Sequence, residues 1–173
     1  MDIKQFLKTL PAFESFAEAH IEALCGLMAV SSRPAGHRLI TQGEPGDAMY
    51  LLMEGAIQTS RVDEASGALD EARELHAGEI FGLLSLIDNM PAGWTSVAKE
   101  AVTVAALSRP DFLKLYQLAP PIAHHLQYMV AVQLARDLQS RNRELRELLQ
   151  QRAAATPAGG RPFRSICRVQ RMT

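Results

Sequence analysis

The chain has 173 residues, of which 47% are hydrophobic and 21% are charged, and its formal net charge is −1 at pH 7. These values predict one globular domain with a proper core and a tail, and they exclude the overall basic surface that marks many nucleic-acid-binding proteins. The two cysteines, Cys25 and Cys167, form no metal-ligand motif. No signal peptide or membrane-length apolar run stands out, so we expect a cytoplasmic protein.

Two short helices are predicted at the start of the chain. Apolar residues at helical spacing over residues 1–10 indicate a first helix, which Pro11 ends. Ser15, with Glu18 three residues later, has the spacing of a capping box in front of a second helix over residues 19–28. The polar segment 31–34 is expected to break that helix.

A series of short strands is predicted from Arg38 onward, because glycines at turn positions separate short apolar stretches. The predicted strands span residues 39–40, 48–53, 56–62, 71–76, 95–98 and 103–108. Regular spacing of this kind favours an all-β barrel or jelly roll. The polar segment 63–70 is predicted to be an exposed connection between two of these strands.

A long helix is predicted from Ile122 to about residue 151, because no glycine or proline interrupts this stretch. Apolar residues near its start form a stripe that we expect to cover the barrel: Ile122, Leu126, Met129 and Val130. Farther along, mainly apolar residues recur at a heptad-like spacing: Leu134, Leu138, Asn142, Leu145 and Leu149. A seam of apolar residues with one buried asparagine favours a coiled coil of two parallel helices. This pattern therefore predicts a parallel homodimer.

Two stretches of the chain resemble a known family. The run GHRLITQGEPGDAMY, residues 36–50, is similar to the pattern G-x-x-L/I-x-x-x-G-x-x-G-D-x-x-Y of cyclic nucleotide-binding domains, the sensor modules of Crp/Fnr regulators. Residues 76–100 resemble the phosphate-binding cassette of the same family. The resemblance implies a fold that is mainly β with α, in which a double-stranded β-helix (jelly-roll) barrel with N-terminal helices spans residues 1–118. It also implies a dimerisation helix at 119–151, and residues 152–173 would then be a basic, flexible tail.

The resemblance places a ligand pocket at the cassette, lined by Phe81, Gly82, Leu83, Leu84, Ser85, Ala92, Gly93, Trp94 and Thr95. The family has a glutamate after Phe-Gly for the ribose and an arginine about ten residues later for the phosphate. Here those positions hold Leu83 and either Ala92 or Gly93, and the sequence has no Arg or Lys between Arg73 and Lys99. Each charge-assisted contact contributes about 1.5–3 kcal/mol, so binding of cAMP or cGMP is expected to be about two to four orders of magnitude weaker, or lost.

Two residues of the long helix are candidate contacts for the base of a nucleotide. Arg141 and Asn142 fall where cAMP-responsive regulators place small hydroxyl residues that touch the purine from both subunits. Asn142 is therefore a seam residue, a ligand contact, or both.

No arrangement of catalytic residues or metal ligands accompanies these motifs, so no enzyme and no cofactor are predicted, and a cyclic nucleotide is left open as a ligand. Three functions fit the pattern. The first is a dimeric scaffold that acts through a protein partner, the second is a sensor with a changed small-molecule ligand, and the third is a Crp/Fnr-type transcription regulator. DNA binding of the usual kind is not expected, because the tail is too short for a winged helix-turn-helix.

Overall fold

The computed structural model describes residues 2–62, 67–88 and 90–155. Its helices are α1 (Ile3–Thr9), α2 (Glu18–Leu27), α3 (Leu83–Asp88), α4 (Arg109–Leu118) and α5 (Pro120–Ala155). Its strands are β1 (Met28–Arg33), β2 (Arg38–Ile40), β3 (Ala48–Glu54), β4 (Ile57–Val62), β5 (Leu69–Leu75), β6 (Ile80–Phe81), β7 (Thr95–Ala98) and β8 (Val102–Ser108). The chain divides into two compact units, residues 1–132 and 133–173.

The strands form two four-stranded sheets, in the orders β1-β8-β3-β6 and β2-β7-β4-β5. Every strand pair in both sheets is antiparallel. The strands alternate between the two sheets along much of the chain, as expected for a jelly roll. The predicted fold class, mainly β with flanking helices, is confirmed.

Strand β3 separates two hydrophobic cores, because successive side chains of a strand point to opposite faces. Its residues Tyr50 and Leu52 belong to a cluster inside the barrel. The alternate residues Met49, Leu51 and Met53 belong to a second cluster, between the barrel and the helices. We call these the barrel-interior core and the helix-side core.

The start of α5 packs on the helix-side core, as its apolar stripe predicts. Ile122 and Leu126 are fully buried there, and Met129 and Val130 pack against the same cluster while remaining partly exposed. Within the described ranges, no helix is both long and apolar enough to span a bilayer.

The sequence did not predict three elements, β1, α4 and the two-residue strand β6, which pairs with β3. Each depends on a distant partner or on a cap. Residues 31–34 were predicted as a break, but β1 pairs along its whole length with β8, from Met28↔Leu107 to Arg33↔Val102. Ladder hydrogen bonds to β8 override the weak local strand preference of this segment. The predicted strand 103–108 ends at Ser108, whose hydroxyl accepts a hydrogen bond from the backbone N–H of Asp111 and caps the unpredicted helix α4.

The predicted capping box at Ser15 is wrong, because Ala17 occupies the N-cap position of α2. Glu18 is instead the first helical residue, and its carboxylate lies 2.8 Å from the Lys4 ammonium and 3.0 Å from that of Lys8. These ion pairs tie α2 to α1. The tip of the predicted exposed connection, 63–66, and the tail beyond residue 155 lie outside the described residues.

Candidate functional site

Within the cassette, a sharp turn that only glycine fits joins β6 to α3. Gly82 has φ +76°, and a Cβ at this position would lie 2.8 Å from the Ile40 Cδ1 and 2.9 Å from the Ala48 carbonyl oxygen. L-residues rarely adopt such a positive φ. The turn therefore holds the first residue of α3 close against β2 and β3.

The loop before β3 approaches α3 just as closely. A Cβ on Gly46 would lie 2.2 Å from the Ser85 Cβ, and Ser85 is itself buried. Van der Waals contact at this point leaves no space for a larger residue. The two motifs that carry the family resemblance, around Gly46 and around Ser85, are thus in direct contact.

Arg109, the first residue of α4, stabilises this contact through hydrogen bonds. Its Nη2 donates to the carbonyl oxygens of Gly46 at 2.8 Å and Ser85 at 2.7 Å. Its Nη1 donates to the carbonyl oxygen of Leu86 at 2.6 Å. Sequence reasoning missed this residue, because its partners are backbone carbonyls that lie far away along the chain.

The residue predicted at the family's ribose-binding position, Leu83, belongs to the core. Leu83 is 8% exposed and packs in the helix-side core, whereas the neighbouring Leu84 is 41% exposed. Phe81, two residues before Leu83, packs in the barrel-interior core and stacks on Tyr50 with ring centroids 5.2 Å apart. Burial raises the pKa of Tyr50 above its ordinary value.

The residue predicted at the family's phosphate-binding position is Ala92 or Gly93, and the backbone of Ala92 is paired with residues 43 and 44. The Ala92 N–H donates to the Glu44 carbonyl oxygen at 2.9 Å, and the Ala92 carbonyl oxygen accepts from the Gly43 N–H at 2.8 Å. Ala92 is 6% exposed, while the following Gly93 is exposed. The backbone of Ala92 is therefore hydrogen-bonded through both its N–H and its carbonyl group, and its side chain is buried.

On the inner face of the barrel, polar side chains of β4 and β7 follow apolar ones along the two paired strands. Strands β4 and β7 place Ile57 opposite Ala98 and Thr59 opposite Ser96, and all four residues are buried. The next step of this register brings Arg61 beside Trp94. The Arg61 Cζ lies 4.9 Å from the centroid of the Trp94 ring. Sequence reasoning singled out Trp94 but missed Arg61, because their contact depends on the pairing of β4 with β7.

The side chain of Gln42 ties the loop after β2 to the same end of the barrel. Its Nε2 donates to the Val62 carbonyl oxygen at 2.9 Å, and its Oε1 accepts from the Val62 N–H at 2.8 Å. Its backbone N–H donates to the Thr95 Oγ1 at 3.0 Å. Gln42 therefore bridges the residues that follow Arg61 and Trp94 in sequence.

The predicted seam residues of α5 are all exposed in the unit that begins at residue 133. The exposed fractions are 45% for Leu134, 61% for Leu138, 55% for Leu145 and 57% for Leu149. Asn142 is exposed as well, and Arg141 lies beside it on the same helix. Among the residues that the structure describes, no group of three or more His, Cys, Asp or Glu side chains is placed to hold a metal ion.

A family model for the cyclic nucleotide-binding domain matches residues 31–118, just over half of the chain. The chain is 31% identical over 128 residues to the cyclic AMP receptor protein of Thermus thermophilus, covering 74% of this chain and 59% of that protein. It is 32% identical to a cAMP-dependent protein kinase regulatory subunit of Aspergillus fumigatus, covering 71% of this chain and 29% of the relative. The chain thus spans less than two thirds of either relative.

Two solved structures are similar in fold. The Thermus thermophilus catabolite activator protein has a TM-score of 0.68 at 30% identity, over 80% of this chain and 62% of that one. A cyclic nucleotide-binding domain from Methylobacillus flagellatus has a TM-score of 0.69 at 26% identity, over 84% of this chain and 82% of that one.

Proposed function

Because this chain belongs to the cyclic nucleotide-binding domain family, we propose that it is a non-enzymatic regulatory module that acts as a homodimer and has altered or lost cAMP and cGMP binding. One observation carries the proposal. Of the two cassette positions that bear charge in the family, the ribose position holds the buried Leu83, and the phosphate position holds either the buried Ala92 or the exposed Gly93, neither of which can carry a charge.

At Leu83, burial makes the difference from the family more than the loss of one contact. Leu83 contributes to the helix-side core, so a glutamate there would bury a charge among apolar side chains at a large cost. Ala92 is enclosed by its pairing with Gly43 and Glu44. The cassette retains its backbone shape, while the residue at the ribose position serves packing and neither candidate for the phosphate position carries a charge, which supports a module that no longer binds cAMP in the family's manner.

The exposed leucines of α5 support the homodimer. Four leucines that are 45–61% exposed on one helix would each gain on the order of 1 kcal/mol from burial against a partner. A second copy of the same helix supplies a matching surface, and a pair of Asn142 side chains in the seam would fix the register. The proposed organisation is a barrel at 1–118, a dimerisation helix at 119–151 and a basic tail at 152–173.

The names of the relatives support signalling rather than catalysis, since they are a receptor protein and a kinase regulatory subunit. In such a module the state of the barrel would be read by another protein, because a ligand or partner that favours one conformation shifts its population. The alternative is a sensor with a changed ligand, and one observation favours it: the arginine that lies over Trp94.

Two measurements on the purified, nucleotide-stripped chain test the proposal. Sedimentation equilibrium should give about 38 kDa, twice the 19.0 kDa of one chain. The double variant Leu138→Glu/Leu145→Glu should be monomeric, whereas the control Leu113→Glu, on an equally exposed leucine of α4, should remain dimeric.

In calorimetry, cAMP and cGMP should bind no tighter than about 1 µM. A monomeric wild-type chain, or nanomolar cAMP binding, would contradict the proposal.

A further inference from the structure

We propose that His125 makes the packing of α5 against the N-terminal segment sensitive to pH: the neutral ring packs against Phe13 and Phe16, and protonation releases the start of α5 from them. The inference goes beyond the proposed function, because it gives the module an input that needs no ligand in the cassette. It does not depend on the dimer.

Three rings meet where α5 begins. The centroid of the His125 ring lies 5.1 Å from that of Phe16 and 6.1 Å from that of Phe13, with interplanar angles of 70° and 64°. Phe13 and Phe16 lie in the connection between α1 and α2, and the centroids of their own rings are 6.3 Å apart. We call Phe13, Phe16 and His125 the ring cluster. It joins the first turns of α5 to this connection.

One nitrogen of His125 is buried without a partner. The residue as a whole is partly exposed, but its Nε2 is buried and has no hydrogen-bond partner among the described residues. The next residue, Leu126, is fully buried, and Phe13 is 2% exposed. Most buried polar atoms in folded proteins are hydrogen-bonded. An unpartnered imidazole nitrogen in apolar surroundings is therefore a position at which the charge of the ring matters.

The two charge states of an imidazole differ at this atom. In a neutral ring Nε2 can be the nitrogen without a proton, so that only a lone pair is left unpaired. In a protonated ring Nε2 must carry an N–H and part of a positive charge, and burying an unpaired charge costs far more than burying a neutral polar group. The faces of two phenylalanine rings offset only a small part of this cost. Protonation should therefore favour conformations in which His125 is exposed.

The segments next to His125 carry few titratable groups. Residues 10–17, which hold Phe13 and Phe16, include one charged residue, Glu14, and it is exposed. Within one turn of His125 on α5, the titratable residues are His124 and Tyr128. The His124 ring contacts Tyr116 of α4, and Tyr128 is 66% exposed.

The neighbouring helices supply few free charges. Apart from His20 on α2, the charged residues of α1, α2 and α4 are held by other groups of the protein: Lys4, Lys8, Glu18, Glu22, Asp111, Lys114 and Arg109. A protonated His125 would therefore have to compete for these carboxylates or move towards water. The ring cluster should stabilise the packed state at neutral pH, and this contribution should be lost as the pH falls.

Hydrogen exchange measured by mass spectrometry on the full chain tests the inference. Amide opening in residues 10–17 and 120–130 is compared at about pH 7.5 and about pH 5.5, after correction for the intrinsic pH dependence of exchange. Because opening would take up one proton, it should become about 10-fold more favourable at the lower pH. Strand β8 is the internal reference and should change less.

Two variants assign the effect to one side chain. His125→Phe keeps an aromatic ring in the cluster but cannot take up a proton, so it should abolish the pH-dependent change. The control His124→Gln removes the adjacent histidine, which is exposed, and should keep the change. If His125→Phe fails to fold by circular dichroism, His125→Gln is measured instead, with the same expectation.

Equal opening of residues 120–130 at both pH values in the wild type would overturn the inference. A change that persists in His125→Phe, or one that is lost in His124→Gln, would overturn it as well. None of these results would overturn the proposed dimeric module, which depends on the sedimentation data.

Discussion

The guanidinium of Arg109 donates to the carbonyl oxygen of Leu86 at 2.6 Å, near the C-terminal end of the cassette helix α3. Carbonyls in the last turn of a helix have no partner within the helix, and a cation there also interacts favourably with the helix dipole. The same side chain reaches Gly46 and Ser85. Arg109 thus holds the cassette, the loop before β3 and the start of α4 together.

Replacing Arg109 by methionine should destabilise the protein by about 2–3 kcal/mol, because three partly buried carbonyls lose a charged donor. Urea denaturation measures this change, and hydrogen exchange should show faster opening of the α3 amides. The control Arg38→Met removes an exposed arginine and should change the stability by less than about 0.5 kcal/mol. Equal effects of the two substitutions would show that Arg109 does not clamp the cassette.

Gly46→Ala should destabilise the fold by about 1–3 kcal/mol, because the added methyl group would lie 2.2 Å from the Ser85 Cβ. Thermal melts with Ser85→Gly and the double variant test the cause. The two substitutions together should cost less than the sum of the single changes, since Ser85→Gly removes the clashing atom. The control Gly26→Ala, in α2 with nothing within 4 Å, should stabilise by about 0.5–1 kcal/mol. Additive costs at Gly46 and Ser85 would contradict this account.

The ion pairs of Glu18 should make the contact between α1 and α2 sensitive to acid. Hydrogen bonds from Lys4 and then Lys8 hold the pKa of Glu18 at about 2, below its ordinary value of 4.5. A depressed carboxyl pKa stabilises the folded state above the ordinary value, and that contribution is lost as the pH falls from 4.5 towards 2. Because the groups are exposed, the effect should be small and should shrink with added salt.

Thermal melts of the wild type and Glu18→Gln, from about pH 6 to about pH 2, test this expectation. The wild type should be the more stable near pH 6, and the difference should vanish near pH 2. Glu14→Gln, which removes another exposed carboxylate near the start of the chain, should show no such convergence. A difference that stays constant with pH would rule out the ion pairs as its cause.

Sequence alone determined those features of this protein that depend on short-range pattern. The glycine-punctuated strands predicted the jelly roll, and the stripe that includes Ile122 and Leu126 predicted the face of α5 that packs on the helix-side core. These features follow from residue spacing, because a helix or strand repeats every few residues. The proposed dimer seam rests on the same kind of evidence and stays a prediction.

Only the tertiary structure decided which distant residues meet. It paired β1 with β8, buried Leu83 on the helix side of the sheet and brought Arg109 onto the carbonyls of the cassette. It also placed Arg61 over Trp94, at the end of the β4–β7 register. Each of these contacts joins residues whose separation in the sequence carries no periodic signal. These contacts stabilise the protein only after strand pairing and core packing have brought the residues together.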